Sequence, residues 1–314
     1  MHNGPRVSIG LPVYNGEKYL REALNSILAQ SYIDFELIIS DNASTDQTQS
    51  ICLEYAAKDQ RVRYHRNDEN IGAAPNHNLV FNLARGEYFR WAGYDDRISQ
   101  DFLLKCVEVL DTNPDAVLCM PRTKVIDENG KDQEDFEYDV DASSPELYKR
   151  FRSFVITNHT GCYSYGLMRT DVVAKTSLEG SYPSSDLVLF AELALYGQFH
   201  FMPDRLFYRR FHSEKSTRGA LKDERNRVLW NDTSLQGKIV LIKWLYLEGL
   251  LNAIKNAPLS TVERIHCYFI VFRWAFFTRA IRGLIKDVLL AIQLIIMRSY
   301  SKLKGRILPV FIKR

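Results

Sequence analysis

Acids, amides and glycines recur together in four short segments: PVYNGE (12–17), SDNASTD (40–46), NDENIG (67–72) and GYDDR (93–97). Each follows a run that reads as a buried strand. In an open parallel sheet, the ground just beyond the carboxyl ends of the strands is where ligands bind. The four segments are poor in Lys and Arg, and they contain no Gly-rich phosphate cradle of the P-loop or dinucleotide type. A diphosphate is held in such a place only if a divalent cation bridges it to a carboxylate. Asp95 and Asp96 are the acids to consider, since adjacent carboxylates repel unless a cation or hydrogen-bond donors hold them. Read alone, the pair is equally a metal site or two solvated loop acids.

The elements that position these segments follow from the hydrophobic pattern. RVSIGLPVY and FELIISD read as buried strands, and RVRYHR (61–66) and EYFRWA as two more. KYLREALNSILAQ sets Leu20, Ala23, Leu24, Ile27 and Leu28 on one helical face. Ser44 and Gln47 have the spacing of a capping box for a helix carrying Ile51 and Tyr55. NIGAAPNHNLVFNLARG offers a loop, Pro75 for a first helical turn and Gly86 as a stop. A helix over 101–112 and a strand in DAVLCMPRTKVI complete a β-α alternation over about residues 5–125, the pattern of a mostly parallel, helix-flanked α/β sheet. From 126 the rhythm changes to an acidic loop (132–141), helices near 146–154 and 187–196, and strand-like YSYGLMR and FHFMPDRLFYRRFH.

The net charge of +3 conceals an asymmetry. Residues 225–314 hold 16 Lys/Arg against 4 Asp/Glu, whereas residues 1–224 hold 25 against 34. The tail is also apolar, in runs broken by Arg or Lys every few residues. Its longest late uncharged stretch, Val288 to Met297, is too short to span a bilayer. Basic residues interleaved with aromatics fit amphipathic helices lying on a membrane surface, with a helical subdomain packed on the body as the alternative. Nucleic acid is not expected as a partner, because the stripe is too apolar and no binding motif accompanies it. The five cysteines are widely spaced and form no CxxC pair, so they read as buried thiols in a reducing compartment. MHNGPRVSIGLPVYN shows no secretory signal, which leads us to expect the folded part in the cytoplasm, peripherally on the inner face of a membrane.

VSIGLPVYNGEKYLREALNSILAQSYIDFELIISDNASTDQT, NIGAAPNHN and GEYFRWAGYDD, in that order, resemble the nucleotide-sugar-binding half of a family 2 glycosyltransferase, an inverting enzyme of the GT-A fold. The resemblance covers about residues 6–125 and continues more weakly through YGLMRT, SSDLVLFAELAL and YRRFHSEKST to about 217. It implies a GT-A domain over 1–224, divided into a donor half (5–125) and an acceptor half (126–224), followed by the basic amphipathic region 225–314. It also implies roles. Pro12, Val13, Tyr14 and Glu17 line the nucleoside, Asp41 meets the nucleobase edge, and Asn70 and Gly72 close over base and ribose. Tyr94 and Asp95 lie in the metal motif, with Asp95 as the ligand of Mg2+ or Mn2+ and Asp96 as its neighbour or an alternative ligand. Gly93 stands where the family has the first acid of that motif.

The resemblance further implies a base that takes the acceptor proton, and SSDLVLFAELAL puts Asp186 in that position, with Glu192 as the fallback. His212 matches a histidine that helps hold metal or diphosphate, and the loop 213–219 after it reads as a lid. Without the resemblance, Asp186 is an ordinary helix-start acid, and Asp46 is one in any case. His65, His77, His159 and His200 have no second ligand at metal spacing and read as structural or exposed. The expected reaction moves a sugar from a nucleoside diphosphate to a polysaccharide or lipid-linked glycan by metal-assisted displacement. The alternatives are a sugar nucleotidyltransferase, or an inactive membrane-docked scaffold for which Gly93 is the one supporting residue.

Overall fold

The structure, a computed structural model, describes residues 4–136, 140–157, 163–212, 224–278 and 280–303. The first strand, β1 (Val7–Val13), and the second, β2 (Phe35–Asp41), are buried along their whole length. Strands covered on both faces need no alternation, so they read as continuous apolar runs. The helix between them, α1 (Glu17–Leu28), buries Tyr19, Leu20, Ala23, Leu24 and Ile27 at helical spacing. The chain then forms α2 (Thr48–Lys58), β3 (Val62–Arg66), α3 (Ala73–Asn82) and β4 (Tyr88–Trp91). These four strands are parallel in the order β3-β2-β1-β4. The direction of winding reverses between β1 and β4. PVYN and GYDD therefore emerge side by side at the switch point of the sheet.

The second half adds antiparallel strands to this parallel half, so the whole sheet is mixed. After the short β5 (Arg97–Ile98) come α4 (Phe102–Thr112), β6 (Ala116–Ile126), β7 (Asp132–Phe136), α5 (Leu147–Ile156), β8 (Leu167–Arg169), α6 (Thr170–Val173), α7 (Ser185–Tyr196) and β9 (Gln198–Arg210). β8 is antiparallel to both β4 and β6, while β6 and β9 are parallel, and β5 closes the edge antiparallel to β9. A three-residue strand pairing across 80 positions leaves no periodic trace in the sequence. The stretch expected as an acidic loop begins instead with β7, which folds back on β6. The expected capping box also differs. α2 begins at Thr48, and the Ser44 hydroxyl accepts the Asn15 amide at 2.9 Å.

Four helices follow: α8 (Glu224–Asn231), α9 (Ile242–Asn256), α10 (Thr261–Phe277) and α11 (Ala280–Leu303). Tyr246, Leu250, Ala253 and Ile254 of α9 and Cys267, Ile270 and Val271 of α10 belong to the same core as the sheet. α10 opens on a capping box of Ser260 and Glu263. Its outward face carries Val262, Ile265, Phe269, Phe272 and Phe276 at helical spacing, all exposed. α11 likewise exposes Ile285, Leu289, Ile292 and Ile296. Among the described residues, no helix is long and apolar enough to cross a membrane.

Candidate active site

The floor of the site is the end of β4. Tyr88, Phe89 and Trp91 are buried, as expected of core aromatics, and the Trp91 indole donates to the His77 carbonyl at 3.0 Å. The strand leaves the sheet after Ala92, whose amide still reaches the Gly10 carbonyl at 2.8 Å. Asp95 and Asp96 follow, both buried, and separate partners relieve their repulsion. Asp95 Oδ2 lies 3.0 Å from His212 Nε2, while Asp96 Oδ1 accepts the Arg210 amide at 2.8 Å. Arg210 comes two residues before His212, at the end of β9. Its guanidinium donates to the Asp95, Asp127 and Glu128 carbonyls and to Glu22, and it packs 4.7 Å from the Tyr19 ring. The same ring lies 4.9 Å from that of His212.

At Gly93, a Cβ would lie 2.7 Å from Asp96 Oδ2 and 3.0 Å from Asp95 Oδ1. An acid there would require both carboxylates to move. Glycine is the residue that lets them fold back over the turn.

Beside this floor is a cleft of about 430 Å3 lined by Pro12, Val13, Tyr14, Asn15, Asn42, Asn70, Ala73, Asn76, His77 and Tyr94, together with Leu229, Trp230 and Thr233. That size suits a small organic ligand. Of the residues expected to meet a nucleoside, Pro12, Val13, Tyr14, Asn70 and Tyr94 line it. Glu17, Asp41, Gly72 and Asp95 are not among its lining residues. Glu17 and Asp46 instead tie two helix starts together, because Glu17 accepts the Gln47 amide and Asp46 the Glu17 and Thr48 amides. Asp41, fully buried, accepts from the Tyr64 hydroxyl, Arg66 and the Ser44 amide. Gly72, at φ 93°, packs against the Asn231 carbonyl, where a Cβ would approach to 2.6 Å.

An asparagine network that the sequence pattern does not announce holds the cleft loops in register. Asn42 joins Asn70, Gly72, Asn67 and Ile71, and Asn76 joins Asn67 and Ser40. Four non-glycine residues take left-handed backbone angles among the described residues: Asn15, Ala43, Leu178 and Ser184. Two follow β1 and β2, and two lie in the loop that leads into α7. Conformations of this cost gather at sites whose geometry is over-determined by their surroundings.

Asp186 stands in the first turn of α7. Burial, followed by the negative charge of Glu179, pushes its carboxyl up to about 6, against a smaller opposing effect of His77. His77 is the next charged neighbour. It lines the cleft, and its Nδ1 lies 3.1 Å from Glu179 Oε1. Burial works against its protonation, but Glu179 outweighs that and holds the imidazole above its ordinary range. Glu192 is wholly buried and accepts the Ser177 amide at 2.9 Å, an anchor for the loop before α7. His159 and the lid 213–219 lie outside the described residues.

The donor set fits a hard divalent cation. A carboxylate and an imidazole, both buried, meet here, and His212 Nδ1 has no hydrogen-bond partner among the described residues. One or two protein ligands suffice where substrate phosphates and waters complete the shell. No cluster of three or more such side chains is present among the described residues.

Residues 8–176 match Glycosyl transferase family 2. An uncharacterized glycosyltransferase of Methanocaldococcus jannaschii is 30% identical over 175 residues, 54% of this chain and 58% of that protein. Across the other curated relatives the matched share of their length runs from 14% to 60%, so the chain spans less than two thirds of each of them. Among solved structures, S. aureus TarS 1-349 in complex with UDP-GlcNAc superposes with a TM-score of 0.56 at 18% identity, over 96% of this chain and 92% of that one. A mannosyltransferase from Pyrobaculum calidifontis in complex with GDP-Man and Mn2+ gives 0.51 at 14% identity, over 96% and 80%. At these identities the likeness is one of fold.

Proposed function

The chain belongs to glycosyltransferase family 2, and on that premise we propose that it transfers a sugar from a nucleoside diphosphate to a hydroxyl of a glycan or lipid-linked acceptor, with inversion. The observation that carries the reading is the meeting of Asp95 and His212, 117 positions apart, beside the cleft at the switch point. The nucleoside occupies that cleft, between the loop of Pro12–Tyr14 and Asn70. Among the described residues, the cleft lining carries no ionisable group but His77 and tyrosine phenols, which suits the uncharged part of the donor. The diphosphate lies toward Asp95 and His212.

Asp95 and His212 would hold a divalent cation, Mg2+ or Mn2+, which when bound would neutralise charge on the departing diphosphate. Arg210 holds the Asp96 carboxylate through its amide and the Asp95 backbone carbonyl through its guanidinium. Asp186 accepts the acceptor hydroxyl proton as the new C–O bond forms at the anomeric carbon. The old C–O bond breaks at the same time, its electron pair leaving with the diphosphate. A carboxyl near 6 is ionised at neutral pH, yet basic enough to take that proton.

The outward stripes of α10 and α11 are the basis for placing the enzyme on an anionic membrane surface, on the cytoplasmic side. They are long, apolar and flanked by a strongly basic tail. Because α9 and α10 complete the core, the membrane test keeps the chain whole. F269S/F272S should lose sedimentation with phosphatidylglycerol vesicles that the parent shows, and a parent that does not sediment with them rules out this placement. The catalytic reading is tested by thermal shift with a panel of nucleoside diphosphates and nucleotide sugars, with Mg2+ or Mn2+. Stabilisation by at least one is expected, and none with either metal defeats it.

A further inference from the structure

The cleft has a roof that does not come from the strand-end loops. Leu229 and Trp230 of α8 and Thr233 of the 3-10 turn after it line the cleft, although they lie beyond the residues 8–176 that match the family. Three contacts seat this segment. The Thr233 hydroxyl donates to the Asn70 carbonyl at 2.9 Å, the Asn231 side-chain amide donates to the Gly180 carbonyl at 2.9 Å, and the Asn231 carbonyl lies against Gly72. Residues 229–233 therefore bridge the loop before α3 and the loop before α7. Asn231 and Asp232 are buried in that bridge, while Trp230 keeps 47% of its surface exposed. A large indole left that open at the end of a helix, beside a cleft that four asparagines help to line, is placed to be covered by something flat.

On the donor reading above, we propose that Trp230 is a specificity-determining residue that provides the aromatic face for the nucleobase of the nucleoside diphosphate, with the 229–233 bridge closing the donor cleft. The chemistry agrees with the lining. A cleft rich in amides, with an indole and one imidazole, offers stacking and hydrogen bonds to a base and ribose.

The experiment titrates UDP, GDP and ADP, and pyrophosphate as a base-free control, into the full chain with Mn2+, for the parent, W230A and W230F. Circular dichroism is recorded on each protein. W230A should weaken the preferred nucleoside diphosphate by about tenfold, the scale of one base–aromatic stack. W230F should recover most of the affinity, and pyrophosphate binding should not change. Equal nucleotide affinity for W230A and the parent overturns the role of Trp230 and leaves the donor reading intact. So does an equal loss for nucleotide and pyrophosphate, which would mean that Trp230 acts through the fold. A parent that binds no nucleoside diphosphate overturns the donor reading and this one with it.

Discussion

At the amino edge of the parallel strands, Glu36 accepts from the Ser8 hydroxyl and the Arg85 amide and pairs with Arg63. Nearby, Arg6 holds Glu87 and Asp111, and Asp111 also accepts from Tyr88. At the carboxyl edge, Asp95 lies against a histidine, and in the first turn of α7 Asp186 has Glu179 and His77 as charged neighbours. Both edges bury carboxylates, but the partners differ in what they can release. An arginine stays charged at any working pH and locks its acid as a structural anion. A histidine can give up its proton and its hydrogen bond to a cation, and an acid beside another acid stays basic. Asp41 shows that position alone does not decide. It sits at the carboxyl edge, yet Arg66 and Tyr64 hold it as firmly as Arg63 holds Glu36.

The contrast breaks most visibly at Asp186. D186N should lower kcat by about 10²- to 10⁴-fold, the range of a positioned general base, with the melting temperature unchanged. D95N should cost about 10²-fold or more in kcat/KM and weaken the response to Mn2+, again without unfolding the protein. At the opposite edge, E36Q should do the reverse. Losing a buried hydrogen-bonded charge costs about 2 kcal/mol, or about 4 °C in Tm, while kcat per folded molecule is unaffected. The smallest effect sharpens the electrostatics of the base. Asp186 must be ionised to act, so activity should fall as pH drops through about 6. Glu179 raises that value and His77 lowers it, so E179Q should move the acid limb of kcat/KM to lower pH and H77A to higher pH. Limbs that do not move would show that neither group senses Asp186.

What the sequence makes legible follows from range. β1 and β2 are continuously buried runs of seven residues, β3 and β4 are shorter strands of the same β-α alternation, and the loops after β1, β3 and β4 place Tyr14, Asn70 and Asp95 at one edge without knowledge of any distant contact. β5 and β8, two and three residues long, exist only because β9, β4 and β6 pair with them. Asp95 and His212 can each be read from a local pattern. Arg210 cannot, since its role depends on carbonyls about 80 and 115 positions away. The asparagine network and Trp230 are hidden for the same reason. Asp41 was legible as a strand-end acid, but its partners lie on the next strand, where the pleat brings Tyr64 and Arg66 to one face.

The most direct test of the account is a crystal structure of the full chain with the nucleoside diphosphate that binds it and Mn2+. The account predicts the base in the cleft by Tyr14 and Asn70, and the diphosphate on a metal ion held by Asp95 and His212. A nucleotide bound elsewhere, or a diphosphate and metal that bypass both side chains, would contradict it.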